Sequence, residues 1–236
     1  QSATPVIVNC TFHGNNSPNN AGAIGNSTAT PVIANSIIWG NNSGINGTAS
    51  ITYSIVQGGF TGTGNINSDP LFVNSADADG ADNIWGTADD GLNLQACSPA
   101  INVGNNSAIP ASIPADFNNN ARITYTTVDL GVYEIQTVDL TQSTWKGINT
   151  NWNDKLNWCG GYVPAATTSI TIPAGLTNYP VISSTVNIKN IVLANASTVT
   201  VSSSGKLVVT GTYTNNGSTI INNGDWEMAG SATGQV

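Results

Sequence analysis

The sequence predicts an all-β fold, a parallel β-helix (solenoid) followed by a second β-solenoid module. Three observations support this prediction. Residues 4–16 (TPVIVNCTFHGNN) are repeated at residues 30–42 (TPVIANSIIWGNN), 26 residues further along, and repeats of about 20 to 50 residues are typical of solenoids. Apolar and polar residues alternate within the copies, as they do in strands. Only 8 % of the residues are charged, and the remaining polarity comes from Asn, Ser, Thr and Gly, a mixture that favours strands and turns over helices.

A third, shorter copy defines the coil. Residues 51–58 (ITYSIVQG) align with residues 33–40 (IANSIIWG), now 18 residues on. The spacing changes while the apolar pattern stays in register, which indicates one strand segment per coil and loops of variable length. Coils stacked ~4.8 Å apart bury a continuous apolar stripe that one coil cannot bury alone. An antiparallel sandwich is the alternative, but likeness between successive strands favours the parallel helix.

The alternation also predicts which side chains face the core. We expect the inward set to be Val6, Val8, Cys10 and Phe12 in the first copy, matched by Val32, Ala34, Ser36 and Ile38 in the second. We expect the outward set to include Asn9, Asn35 and Tyr53 at one position, and His13, Trp39 and Gln57 at another. The glycines that close each copy are expected to adopt the left-handed turn conformation.

Composition excludes several classes of function. The net charge is -8 and only five residues are basic, so the chain lacks the basic patches needed for nucleic acid or an anionic membrane surface. No run approaches the roughly 18 apolar residues that span a bilayer. Three cysteines allow one disulfide and one free thiol, and their spacing fits no metal site. The Asn-, Thr- and Ser-rich, Lys-poor composition predicts an extracellular location, and the repeat pattern at both ends predicts a piece of a longer protein.

A family resemblance follows from motifs after the repeats. The motifs are NSIIWGNN, SDPLFVN (residues 68–74), GLNLQACSPAINVG (residues 91–104) and VDLGVYE (residues 128–134). Together they resemble the C-terminal end of right-handed parallel β-helices in large secreted bacterial surface proteins. The resemblance implies a pectate-lyase-like helix that ends in a cap, in proteins often exported by the type IX secretion route. Asn102 replaces the acid usual in the family, and Arg122 is interpreted as a structural ion pair with Asp129 and Glu134.

A second module is expected after a linker at residues 137–143. It spans residues 144–236, follows a helix and cap at residues 1–136, and opens with Trp145, Trp152 and Trp158 among Asn and Gly. Alternating stretches such as SITIPA and KLVVTGTYT predict short solenoid strands. The stretch resembles a recurrent module of the same secreted proteins, with Trp-x-Gly, Asn-Trp and Ile-x-Ile-Pro motifs. The three tryptophans are expected to cap the open end of this solenoid, and glycan contact is the alternative.

An acidic loop, ADADGADNIWGTADDG (residues 76–91), is the candidate metal site. It carries five of the thirteen acids of the chain with no basic residue among them, namely Asp77, Asp79, Asp82, Asp89 and Asp90. The Asp-x-Asp-Gly-x-Asp spacing offers hard oxygen ligands, and Gly80 permits a sharp bend, which together predict calcium. No Glu lies at the twelfth position of the EF-hand pattern, so a merely solvated acidic loop is the alternative.

No catalytic constellation emerges. A polysaccharide lyase needs a strong base and a hydrolase needs paired carboxylates, whereas the first 68 residues contain no Asp, Glu, Lys or Arg. The sequence therefore predicts a non-enzymatic stalk or joint of a large cell-surface adhesin or filament protein, whose partners are other segments of that chain or neighbouring surface proteins. The alternatives are a polysaccharide-binding module and, more remotely, the remnant of a β-helix polysaccharide-degrading enzyme. Ice binding is a weaker variant, because the pairs Thr198/Thr200 and Thr212/Thr214 do not recur at a constant period.

Overall fold

The computed structural model describes residues 4–18 and 22–234. Stacked parallel strands form a β-solenoid, and the described helices are two single 3-10 turns at Asn106–Ala108 and Lys155–Asn157. The predicted all-β solenoid class is confirmed. The chain divides into two compact units, Gln1–Thr137 and Val138–Val236, called unit 1 and unit 2 below. No helix in the described ranges combines the length and the apolar character that crossing a bilayer requires.

Unit 1 begins with three stacked coils of very short strands. The strands are β1 (Val6–Val8), β2 (Thr11–His13), β3 (Ile24–Gly25), β4 (Val32–Ala34), β5 (Ile37–Trp39), β6 (Ile45–Asn46), β7 (Ser50–Thr52) and β8 (Ile55–Val56). They form three sheets, with the orders β1-β4-β7, β2-β5-β8 and β3-β6, and every pairing is parallel. In the first sheet Val8 lies beside Ala34 and Ala34 beside Thr52. Equivalent positions of the repeat therefore form columns, as the repeat predicted.

In the first strand of each coil the predicted inward set is wrong at its first position, while Ala34 of the same set is buried. Val6 and Val32 are 68 % and 40 % exposed, whereas Ile33 and Ile51 are buried in the core. The reason is a corner residue in the left-handed conformation after this strand, with φ of 51° at Asn35. This corner breaks the alternation, so only the second strand of the coil keeps its predicted phase, with Ile38 in the core.

The corner asparagines, Asn9 and Asn35, do not face outward, although the alternation had predicted that they would. Asn9 and Asn35 are 6 % and 0 % exposed, because the segment that follows the coils lies against them. The Gly131 N–H donates to the Asn35 carbonyl over 2.8 Å. Gly131 has a φ of +90°, and a Cβ there would meet Thr11 Oγ1 and the Ile37 side chain. A glycine therefore lets this segment approach the coils closely, and it buries Ile37, which is 1 % exposed.

Unit 2 is a three-sided solenoid with longer strands. These are β9 (Gln142–Thr144), β10 (Ser169–Ile172), β11 (Val181–Ile182), β12 (Thr185–Ile188), β13 (Asn190–Leu193), β14 (Thr198–Val201), β15 (Lys206–Val209), β16 (Thr212–Asn215), β17 (Thr219–Asn222), β18 (Asp225–Met228) and β19 (Ser231–Gly234). The sheet orders are β9-β10-β13-β16-β19, β11-β14-β17 and β12-β15-β18, all parallel.

The core of unit 2 follows the predicted alternation. In β10 and β13 every second residue is at most 2 % exposed, namely Ile170, Ile172, Ile191 and Leu193. Buried residues of all three sheets meet in a single apolar cluster. The strand β9 already pairs with β10, so the solenoid begins at Gln142, inside the segment that the sequence had assigned to a linker.

Candidate functional site

The acidic loop places Asp82 and Asp89 side by side. Thr87 Oγ1 donates to Asp89 Oδ1 over 2.8 Å and lies 3.5 Å from Asp82 Oδ1, while the Asp82 N–H donates to Asp89 Oδ2 over 3.2 Å. The hydrogen bond from Thr87 is the main reason that the pKa of Asp89 lies below its ordinary value. Two carboxylates thus face the same small region of the loop, at the solvent-exposed surface of unit 1.

Asp90 is the buried acid of the loop. It is 0 % exposed, and its Oδ2 accepts from the Gly86 N–H (2.7 Å), the Thr87 N–H (3.1 Å) and the Tyr133 hydroxyl (2.5 Å). Burial, and then this bond from Tyr133 to Asp90, raises the pKa of the Tyr133 hydroxyl. The other oxygen, Asp90 Oδ1, is buried without a hydrogen-bond partner among the described residues. A buried carboxylate oxygen left unpaired is costly, so this atom is the strongest local indication of a missing ligand.

The five acids do not converge as one ligand set. Asp77 takes part in the loop through its main chain, since its carbonyl accepts from the Gly80 N–H over 3.3 Å, and the neighbouring Asp79 is half-buried. Gly80 has a φ of +70°, as the predicted sharp bend requires. Within residues 4–18 and 22–234 no three His, Cys, Asp or Glu side chains are arranged to hold a metal ion. The structure thus brings together Asp82 and Asp89, with Asp90 in the same turn, and no described hydrogen bond joins the Asp77 or Asp79 side chain to them.

Arg122 fastens the cap rather than forming the direct ion pair that was expected. Its Nη1 and Nη2 donate to the Gly131 and Val132 carbonyls over 3.2 and 2.7 Å. Among the described residues, the ion pair within salt-bridge distance is Lys206–Glu227 in unit 2. Burial lowers the pKa of Arg122, and nearby carboxylates oppose that shift. The guanidinium therefore binds the carbonyls of two consecutive residues, and it affects the nearby carboxylates through its charge and not through direct contact.

Three buried carboxylates surround Arg122, and each accepts backbone hydrogen bonds. Asp116 is 7 % exposed, Asp129 is 1 % exposed and Glu134 is 5 % exposed. Asp116 accepts from the N–H groups of Asn120 and Glu134. Asp129 accepts from those of Asn102 and Ile135. Glu134 accepts from those of Thr124 and Asp129. We call Asp116, Arg122, Asp129 and Glu134 the cap cluster. Each of the four side chains binds the main chain of the cap and is turned away from solvent.

Burial sets the protonation of the cap cluster. It raises the pKa of Asp129 to about 6 and that of Glu134 to about 8. Backbone hydrogen bonds and the charge of Arg122 act in the opposite direction on both carboxyls, but they are outweighed. Asp129 also raises the pKa of Glu134, because two neighbouring carboxylates repel. Both carboxyls therefore bind protons more tightly in the folded chain than exposed carboxyls do.

His13 is half-buried and bonded to main chain. Its Nδ1 lies 2.8 Å from the Trp39 carbonyl oxygen and its Nε2 lies 3.3 Å from the Ser75 carbonyl oxygen. The ring also meets the edge of Phe72 at a centroid distance of 5.4 Å. Both nitrogens contact backbone carbonyls, an arrangement that links the coils to the following loop, whereas the alternation had predicted an ordinary outward residue.

The three tryptophans of unit 2 lie inside the core. Trp145, Trp152 and Trp158 are 1 %, 1 % and 0 % exposed. Trp158 packs edge-on against both other rings, with centroid distances of 4.8 and 5.0 Å, and its Nε1 donates to the Trp152 carbonyl over 2.9 Å. Since β9 is the edge strand of its sheet, the cluster lies at the N-terminal end of the core. The rings leave no face for a sugar to stack on, so this burial contradicts their proposed glycan contact.

Comparison with known proteins adds one match. Residues 144–225 match the model of a protein family described as Domain of unknown function (DUF8693). The matched range begins within β9 and ends at the start of β18, so it covers most of unit 2. No curated protein and no solved structure matches the chain. The match supports unit 2 as a recurring module and assigns it no activity.

Proposed function

We propose that this chain is a non-catalytic structural segment, a stalk or joint, of a large extracellular protein of the adhesin or filament kind. The observation that supports the proposal is that the buried charged groups of unit 1 bind its own main chain. Every member of the cap cluster hydrogen-bonds to backbone of the cap, where an enzyme would present such groups to a substrate. The buried charged groups of unit 1 therefore serve to hold the cap segment in place against the stacked coils.

The hydrogen-bonding of the coils supports the same proposal. Side chains of successive coils bond to one another, as between Asn42 and Asn16 at 2.6 Å and between Asn15 and Asn41 at 2.9 Å. Each coil thus supports the next through backbone and side chain together. The further details of the proposal rest on the motif resemblance alone: a pectate-lyase-like origin, export by the type IX route, and partners that are neighbouring segments of the same protein or other surface proteins.

A binding and turnover screen tests this function. The purified chain is passed over a glycan array and incubated with uncharged and acidic polysaccharides, followed by an assay for new reducing ends and unsaturated products. A structural segment gives neither saturable binding nor product. Saturable binding would favour the polysaccharide-binding alternative, and product release would favour an enzyme remnant.

We further propose that the acidic loop binds calcium as a structural ion. The supporting observations are the facing carboxylates of Asp82 and Asp89 and, in the same turn, the buried and unpartnered Asp90 Oδ1. Asp82 and Asp89 would supply carboxylate oxygens, the ligands that calcium prefers. Binding to the folded chain alone would stabilise it by mass action.

Thermal unfolding tests the calcium proposal. A chelator is expected to lower the melting temperature of unit 1, and added calcium to restore it. The double variant Asp82→Asn, Asp89→Asn should lose the response, whereas Asp225→Asn, an exposed acid of unit 2, should keep it. Melting curves that are the same with chelator and with calcium would remove the metal.

A further inference from the structure

The outer face of the five-stranded sheet of unit 2 carries two columns of uncharged side chains. One column runs Thr144, Thr171, Val192, Thr214 and Thr233 across β9, β10, β13, β16 and β19 in continuous register. Four of these five residues are threonines and the fifth, Val192, has nearly the same shape and is 37 % exposed. We call the outward positions of this sheet the hydroxyl face.

A second column lies two residues earlier on the same strands. Gln142, Ser169 and Asn190 are in register, as are Thr212 and Ser231. The break between Asn190 and Thr212 is closed by side chains, because the Thr212 hydroxyl donates to Asn190 Oδ1 over 3.0 Å and the Asn190 amide donates to the Ser169 hydroxyl over 2.8 Å. The members of this second column are therefore joined to one another by bonds within the face.

This regularity is not visible in the sequence, because the number of residues in the corners differs from one coil to the next. Bonded residues on successive strands are 21, 22 and 19 residues apart along the chain, which is why the threonine pairs appear irregular in the printed sequence. In space the strands are spaced by ~4.8 Å, and outward residues of one strand by about 6.7 Å. The hydroxyl face is thus a two-dimensional lattice spanning about 19 Å across its five strands.

The chemistry of the face limits what it can bind. None of its ten positions is charged or aromatic, although the chain carries a net charge of -8. Ionic partners have no counter-charge to meet, and sugar rings have no aromatic platform. A sheet face offers no enclosing pocket for a small ligand. An uncharged, extended solid fits such a face, because its own repeat allows many weak contacts to act together.

We propose that the hydroxyl face binds ice. Threonine hydroxyls can hydrogen-bond to ordered water while their methyl groups, and Val192, occupy the spaces between, and first-shell water held in register is itself a good hydrogen-bonding partner. The bonds Thr214–Thr233 and Thr212–Asn190, at 3.3 and 3.0 Å, order the face before binding, so little side-chain entropy is lost on contact. Each contact with ice is weak, but the rigid sheet holds many of them in place at once, so their binding energies act together. This activity is independent of the proposed stalk function.

Partition into growing ice tests the proposal. The purified chain is cooled with a slowly growing ice front, and its concentration in the ice is compared with that of a protein that does not bind ice. We expect enrichment of the wild type, and loss of it in Thr171→Tyr and in Thr214→Tyr, since either ring raises a bump in the Thr column. The matched control is Thr185→Tyr on the outer face of β12, which should be enriched like the wild type.

The outcomes separate the face from the fold. Melting curves of each variant show whether it is folded, and two face variants guard against one that is not. Exclusion of the wild type from ice, or equal enrichment of face and control variants, would overturn the proposal. Binding to microcrystalline cellulose without enrichment in ice, lost in the same two variants, would also overturn it and assign the face to a different solid.

Discussion

At the scale of single residues, unit 1 depends on asparagines at its corners. Asn35 adopts a φ of 51°, which asparagine tolerates better than most residues. Its buried carboxamide accepts from the Asn105 N–H over 2.7 Å and donates to the Asn105 carbonyl over 3.0 Å. The side chain therefore makes the pair of bonds that a neighbouring strand would make, and it ties the cap to the second coil.

Two substitutions at Asn35 separate its contributions. Asn35→Ala removes both bonds to Asn105 and strains the corner, and we expect it to lower the free energy of unfolding by about 2–5 kcal/mol. Asn35→Gly removes the same bonds but relieves the strain, so it should cost about 1–2 kcal/mol less than the alanine. Urea unfolding measures both. Equal stabilities for the two variants would contradict the role of the corner conformation, and a wild-type-like glycine variant would contradict that of the bonds.

The limits of sequence prediction are clearest at these residues. The repeat placed Val8, Ala34 and Thr52 in one column correctly, because like residues on successive coils report register directly. The same alternation placed Val32 inside and Asn35 outside, since periodicity carries no record of a left-handed corner. The recurrence of Asn at positions 9 and 35 was the available signal, because asparagine is enriched in that conformation.

At the scale of elements, the tryptophan cluster closes the first end of unit 2. Trp145, Trp152 and Trp158 fill the space beside β9, the edge strand, beyond which the described part of the chain adds no further strand to the sheet. The sequence predicted this capping role from the grouping of three large rings. It could not exclude sugar binding, because exposure depends on the loops that fold around the rings.

Removal of one ring tests the cap. Trp152→Ala is expected to lower the free energy of unfolding of unit 2 by about 3–5 kcal/mol through lost burial and a cavity. Trp85→Ala is the matched control, since Trp85 is 51 % exposed and its loss should change stability by less than about 0.5 kcal/mol. Denaturant melts followed by circular dichroism give both values. A Trp152→Ala protein as stable as the control would contradict the structural role.

The cap cluster predicts how stability depends on pH. The pKa values of Asp129 and Glu134 are raised to about 6 and about 8, so the folded chain binds these protons more tightly than the unfolded chain. The stability that they contribute is present below their ordinary pKa values near 4 and is lost as pH rises through the folded values. We therefore expect the free energy of unfolding of unit 1 to fall between about pH 5 and pH 8.

Glu134→Gln isolates the contribution of that carboxyl. The variant cannot ionise there, so its stability should fall less steeply than that of the wild type over the same pH range. Parallel profiles for wild type and variant would show that Glu134 does not titrate as its burial requires. A wild-type stability that rises over this range would contradict the raised pKa values themselves.

At the scale of the whole molecule, parallel stacking of equivalent strands recurs in both units. Each strand lies parallel to its equivalent in the previous coil, so similar residues meet and the apolar stripe continues. This stacking explains why the sequence needs few charges and why loops vary in length without disturbing the core. It also produces the hydroxyl face, an ordered surface that arises from repetition itself. The cap and the acidic loop escaped full prediction, because they are built once and have no second copy for comparison.

Methyl contacts between successive coils test this stacking most directly. With isoleucine methyls labelled, nuclear Overhauser effects should join Ile7 to Ile33 and Ile33 to Ile51 in unit 1, and Ile170 to Ile191 in unit 2, since these pairs lie side by side in the parallel register. The account predicts that all three contacts appear in the folded chain. A spectrum of the folded protein in which Ile33 contacts neither Ile7 nor Ile51 would contradict it.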